Sequence, residues 1–206
     1  MTSIWMRGAY LLLTALVFPG LAALSVLYGF RRMHRPQECH VPVLFYGAAV
    51  AIEDKRFLLH YGVDWLVVVW SMLHGARKGR STLTQQLVKN ILYIPDVVCY
   101  RRSWPRKIVE AVAAVLLESR YSKDEIMGMY YANVRWGQFV GLDSAALAYF
   151  RKSPEFLDVR EVVALVTALQ GPVALMKNPA RWAQRQYMMY AKLGVQQEAL
   201  TPEVPL

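Results

Sequence analysis

At 206 residues the chain has the length of one domain with a core of its own. Its 24 Lys and Arg residues against 15 Asp and Glu give a formal charge of +9, which points to an anionic ligand or an acidic membrane surface. The two thiols, Cys39 and Cys99, stand 60 positions apart and exclude a cysteine metal site by spacing; a disulfide between them is unforced, and two separate packed thiols are expected.

In chain order, residues 1–8 read as a short tail. From Gly8 to Phe30 there is no charged residue. Residues 9–30 would span about 33 Å as a helix at ~1.5 Å per residue, enough to cross a bilayer. A cleaved signal peptide is the competing reading. The run is longer than the usual ~7–15-residue apolar region of such a peptide, and no small-x-small site follows Phe30, so an anchor is expected. Residues 31–40 form a basic juxtamembrane linker. Arg7 precedes the span and Arg31, Arg32 and Arg35 follow it, so charge alone would place the C-terminal side in the cytoplasm.

From Val41 to about residue 195 the periodicity is helical. Apolar residues recur at helical spacing over Phe45–Phe57, Leu66–Leu73, Leu83–Leu92, Ile108–Leu117, Ile126–Val134 and Val162–Leu169. Thr82-x-x-Gln85 and Ser122-x-x-Glu125 have the form of capping boxes. Strand-like alternation is scarce, and no Asn-Gly hairpin signal is present. Residues 196–206 carry two prolines and little periodicity and are expected to fray.

Three segments carry the chemistry. The first runs from Glu53 to Gly62. Glu53 follows Ala48-Ala49-Val50-Ala51-Ile52, a poorly solvating neighbourhood that suits a general acid or base; its bland alternative is a helix-end carboxylate paired with Lys55 or Arg56. Asp54 reads as a helix-terminus or ion-pair residue, and His60 as a buried histidine bonded to backbone. The second segment, Gly79 to Asn90, opens a helix with a burst of Ser81, Thr82, Thr84, Gln85 and Gln86. Its N–H groups suit an anion, and Gln85-Gln86 exceeds what capping requires. The third, Arg106-Lys107-Ile108-Val109-Glu110, places two cations and a carboxylate on one helix face. Between Arg77 and Lys107, eight basic residues face Asp96 alone, a net of +7. That density fits phosphate, pyrophosphate or an acidic lipid headgroup, or merely a solvated basic face. No nucleic-acid-binding module is recognisable, and nucleic acid is not expected as a partner. Trp65-Leu66-Val67-Val68-Val69-Trp70 is either a surface that dips into lipid or a plain buried helix.

In series, these segments resemble the peptidoglycan glycosyltransferases of family fifty-one, the polymerase modules of class A penicillin-binding proteins and the monofunctional transglycosylases. Glu53 to Gly62 matches E-D-x-x-F-x-x-H-x-G. Gly79 to Asn90 matches G-x-S-T-[IL]-T-Q-Q-L-x-K-N, and Arg106 to Glu110 matches R-K-x-x-E. Ser122-Lys123-Asp124-Glu125-Ile126, Tyr130, Asn133 and Gly137 resemble the fourth motif, and Gly141, Ala145-Ala146 and Tyr149-Phe150 continue the likeness. It runs from about Val41 to Leu193. Departures are Gly128, where a glutamate is common, Arg80 and Arg151 at positions usually small, and Gln184-Arg185-Gln186, where only one of two arginines aligns.

The resemblance implies a mainly α-helical, lysozyme-like glycosyltransferase domain on one N-terminal transmembrane helix, with no room for a transpeptidase domain. It implies an enzyme in the cell inner membrane facing the periplasm or outer cell surface, opposite to the charge rule, acting on lipid II and the growing glycan chain. Glu53 would be the general base on the acceptor 4-hydroxyl, and undecaprenyl pyrophosphate the leaving group. Lys89, Arg106 and Lys107 would steady that pyrophosphate, with room for a divalent cation (Mg2+ or Mn2+). Glu110 would assist at the second subsite or hold the cationic groups. Ser81, Thr82, Gln85, Gln86 and Asn90 would line the donor cleft, with Asp54, Phe57, His60 and Gly62 structural beside it. Other cell-wall synthesis or division proteins are expected partners. Two competing readings are a lipid II-binding scaffold with weak catalysis and a peptidoglycan-cleaving enzyme of lysozyme-like fold.

Overall fold

The structure, a computed structural model, describes residues 41–74, 81–91, 104–169 and 178–194. The segments expected as anchor, linker and frayed tail, both cysteines, and most of the basic stretch lie outside them. Among the described residues, no helix is long and apolar enough to cross a membrane.

Among the described residues eight helices dominate: α1 (Val43–Glu53), α2 (Trp65–Leu73), α3 (Leu83–Ile91), α4 (Trp104–Glu118), α5 (Lys123–Asn133), α6 (Leu142–Phe150), α7 (Val159–Ala168) and α8 (Pro179–Leu193). Short 3-10 turns occupy Phe57–Leu59 and Pro154–Phe156. The mainly helical expectation holds, and the six apolar segments each fall on a helix. The first segment divides at Asp54, whose non-helical backbone ends α1 ahead of the turn at Phe57–Leu59.

Capping fixes several boundaries. Thr82 and Gln85 bond reciprocally ahead of α3, at 3.1 and 3.0 Å, and Ser122 with Glu125 does the same for α5. A third box, Asp158 with Glu161, starts α7. Each satisfies amide donors that a helix start leaves orphaned.

The scarcity of strand signal conceals one hairpin. β1 (Arg135–Trp136) pairs antiparallel with β2 (Phe139–Val140) across Gly137-Gln138. Gly137 takes φ +63° at the first loop position, a conformation glycine adopts at no steric cost. Two-residue strands are too short to display alternation. The hairpin is held from outside itself, by the Trp136 indole N–H donating to the Leu165 carbonyl at 2.8 Å.

Two packed groups meet at the core. α1 packs against α7 and α8, which also pack on each other, while α3 packs against α4 and α5. Phe45, Ile52, Phe57, Leu83, Leu87, Leu117, Ile126, Tyr130, Trp136 and Trp182 are fully enclosed. A buried polar junction ties the second group together. The Thr84 hydroxyl donates to Glu118 at 2.6 Å, and Lys123 bonds Glu118 at 2.7 Å and the His60 carbonyl at 2.8 Å. The Lys123 ammonium also lies 4.5 Å from the Phe57 ring centre.

Arg151 caps α6 with φ +55°. A left-handed backbone costs a side-chain-bearing residue roughly 1–2 kcal/mol, offset in part by the greater chain entropy glycine would bring to the unfolded state. Arg151→Gly is therefore expected to stabilise by about 0.5–1 kcal/mol, raising the melting temperature by about 1–4 °C. Thermal denaturation followed by circular dichroism checks this.

Candidate functional site

The site grows from the end of α1. Glu53 is its last residue, half-buried, and lies across from α3. The Gln86 side-chain amide donates to Glu53 Oε2 at 2.9 Å, and the Tyr130 hydroxyl donates to Gln86 Oε1 at 3.4 Å. Tyr130 is fully buried, and burial together with the nearby Glu53 charge pushes its phenol well above the usual range. It therefore stays protonated.

Asp54 secures the same corner. Its Oδ2 accepts from the Leu83 backbone N–H at 3.0 Å and lies 2.9 Å from His60 Nε2. A carboxylate partner requires that nitrogen to carry the proton. The His60 side chain is enclosed, but its ring bonds a carboxylate rather than the expected backbone. The turn at Phe57–Leu59 folds it back onto Asp54, and it is the His60 carbonyl that serves Lys123. Of the two cations nearest Glu53 in sequence, Arg56 pairs instead with Asp64, at 2.9 Å.

Gly62 closes the first segment. Its carbonyl accepts from the Thr82 hydroxyl at 2.6 Å, joining the turn to the start of α3. Its φ is +75°, and a Cβ there would lie 2.7 Å from backbone atoms of Ala114 and Val115. Only glycine fits.

On α4, Glu110 retains 2% exposure and is bonded by both preceding cations: Arg106 Nε at 3.2 Å and Lys107 Nζ at 2.6 Å. A solvated surface cluster would not bury its carboxylate: Glu110 is enclosed and Arg106 nearly so, while Lys107 stays half-exposed. Lys107 also donates to the Ser81 hydroxyl at 3.2 Å. Ser81 in turn lines a cavity of about 350 Å3 with Ile52, Glu53, Gln86, Arg185, Met188, Met189 and Lys192. Glu53 thus lines this groove, and the α4 triplet reaches it at one point, where Lys107 bonds Ser81.

The remaining expectations divide. Thr82 and Gln85 spend their side chains on the α3 cap. Lys89, exposed, and Asn90, half-buried, lie in the last turn of α3 and are not among the cavity-lining residues. The α8 side of the cavity was missed in sequence apart from Arg185. Residues 185, 188, 189 and 192 recur at helical spacing, the available signal. Lys192 donates to the Ile52 carbonyl at 3.4 Å, placing a cation at the C-terminal end of α1. Among the described residues, no three His, Cys, Asp or Glu side chains gather to hold a metal ion.

A helical domain with one carboxylate in a groove walled by arginine and lysine is suited to transfer onto a hydroxyl from an anionic donor. A family model described as transglycosylase matches residues 28–194, and the chain belongs to that family. It is 35% identical over 168 residues to penicillin-binding protein 1A of Neisseria flavescens, covering 78% of this chain and 20% of that protein. It is 32% identical over 155 residues to the biosynthetic peptidoglycan transglycosylase of Pasteurella multocida, covering 72% of this chain and 61% of that one. The corresponding protein of Rhodospirillum centenum is 33% identical over 150 residues, with 70% and 60% covered. The chain thus spans about three fifths of the transglycosylases and a fifth of the penicillin-binding protein.

Proposed function

We propose that the chain is a peptidoglycan glycosyltransferase that polymerises lipid II into glycan strands. The observation that carries this is the shared groove: Glu53 lines it, and Lys107, bonded to Glu110, reaches its edge through Ser81. Glu53 accepts the proton of the acceptor 4-hydroxyl as that oxygen attacks the anomeric carbon of the donor chain. The bond to undecaprenyl pyrophosphate breaks, with inversion. The diphosphate needs no proton to depart but does need positive charge. Arg106 and Lys107 supply it, with Lys89 available from the exposed end of α3. Glu110 holds the first two in place. A divalent ion would draw most of its ligands from the diphosphate and water, as such ions commonly do, and would add to the charge opposing the leaving group.

Membrane contact is part of this reading. None of the side chains of α2 is buried: Trp65, Leu66, Val69, Trp70, Met72 and Leu73 are all exposed. That disposes of a buried helix and supports a face resting in the lipid interface near the polyprenyl tail. We place the domain on the periplasmic side of the inner membrane, carried by the apolar run at 9–30.

Incubation with labelled lipid II tests the function. Glycan chains are expected. Shortened fragments from added cell wall would indicate a cleaving enzyme, and lipid II binding without turnover a scaffold; either would overturn the proposal.

A further inference from the structure

We infer that Tyr130 is a positioning residue for Glu53, acting through the Gln86 amide; this rests on Glu53 being the base. Three groups form an oriented chain. The Tyr130 hydroxyl donates to Gln86 Oε1, and Gln86 Nε2 donates to Glu53 Oε2. A carboxamide can turn by half a rotation and exchange its oxygen for its nitrogen. Only one of the two orientations presents a donor to the carboxylate, and the other sets oxygen against oxygen.

A buried phenol that donates to Oε1 favours the productive orientation, and each bond polarises the next toward the carboxylate. The Tyr130 ring is fully enclosed on α5, Gln86 sits on α3, and Glu53 ends α1. The chain therefore transmits the packing of α5 to the rotation of the reacting carboxylate. Tyr130 does not line the cavity, so its effect on turnover runs through another side chain. The high proton affinity of the phenol keeps it a donor throughout the working pH range.

The test uses the full chain in lipid vesicles with labelled lipid II. Tyr130→Phe removes the hydroxyl and keeps the packed ring. We expect kcat to fall roughly three- to tenfold, as for loss of one oriented hydrogen bond, with KM and lipid II binding within about twofold of wild type. In a Gln86→Met background, Tyr130→Phe is expected to have no further effect, because its route is gone. An unchanged kcat, a loss expressed in KM or binding, or an equal loss in the Gln86→Met background would each overturn the inference. Glu53→Gln, measured alongside, separates the two levels. If it is inactive while Tyr130→Phe matches wild type, only the positioning role falls. If it polymerises freely, the assignment of the base falls.

Discussion

Glu53→Gln is expected to stop chain growth, lowering the polymerisation rate at least ~100-fold, the lower end of what a positioned general base contributes. The change is nearly isosteric. Gln86 Nε2, now 2.9 Å from a carboxylate oxygen, would meet an amide oxygen that still accepts. The melting temperature should therefore stay within about 2 °C of wild type, as expected for a change that leaves core packing alone. Lipid II binding should persist, because the cations of α4 are untouched. Gel separation of labelled glycan products gives the rate, and vesicle co-sedimentation gives the binding.

Gly62→Ala should have the largest effect on stability. A residue with a side chain at φ +75° carries about 1–2 kcal/mol of backbone strain. The added carbon would also sit 2.7 Å from the Ala114 carbonyl carbon and the Val115 nitrogen. These are main-chain atoms of α4 and yield only by moving the helix, so overpacking adds about 1–3 kcal/mol. A total of about 2–5 kcal/mol should lower the melting temperature by roughly 5–15 °C. The catalytic corner would loosen with it, because the Gly62 carbonyl receives the Thr82 hydroxyl at the head of α3. Thr82→Val, which removes that bond and the Gln85 cap bond without the clash, should cost about 1–3 kcal/mol. Thermal denaturation of the two variants separates the contributions.

Much of this could be read from the chain because it is local. Helical periodicity located α1 through α5 and α7, and two of the three capping boxes were visible as Thr82-Gln85 and Ser122-Glu125. Arg106, Lys107 and Glu110 are three and four residues apart, so helix geometry alone brings them together. Long-range pairings were not visible. Nothing in the spacing of Asp54 and Leu83, 29 residues apart, announces that a carboxylate will hold the head of α3. The bond of His60 to Asp54 depends on a 3-10 turn that reverses the chain between them. The α8 wall of the cavity comes from side chains more than 130 residues beyond Glu53, brought there by packing of α8 on α1 and α7. The hairpin at β1 and β2 was hidden by its shortness.

The most direct measurement is the position of the acceptor sugar. A structure of the full chain with a non-reactive lipid II analogue in the groove should place the acceptor 4-hydroxyl oxygen about 2.6–3.2 Å from a Glu53 carboxylate oxygen. The same structure should set a diphosphate against Arg106 and Lys107. A 4-hydroxyl directed at another group, with Glu53 beyond reach of both the oxygen and any bridging water, would contradict the account.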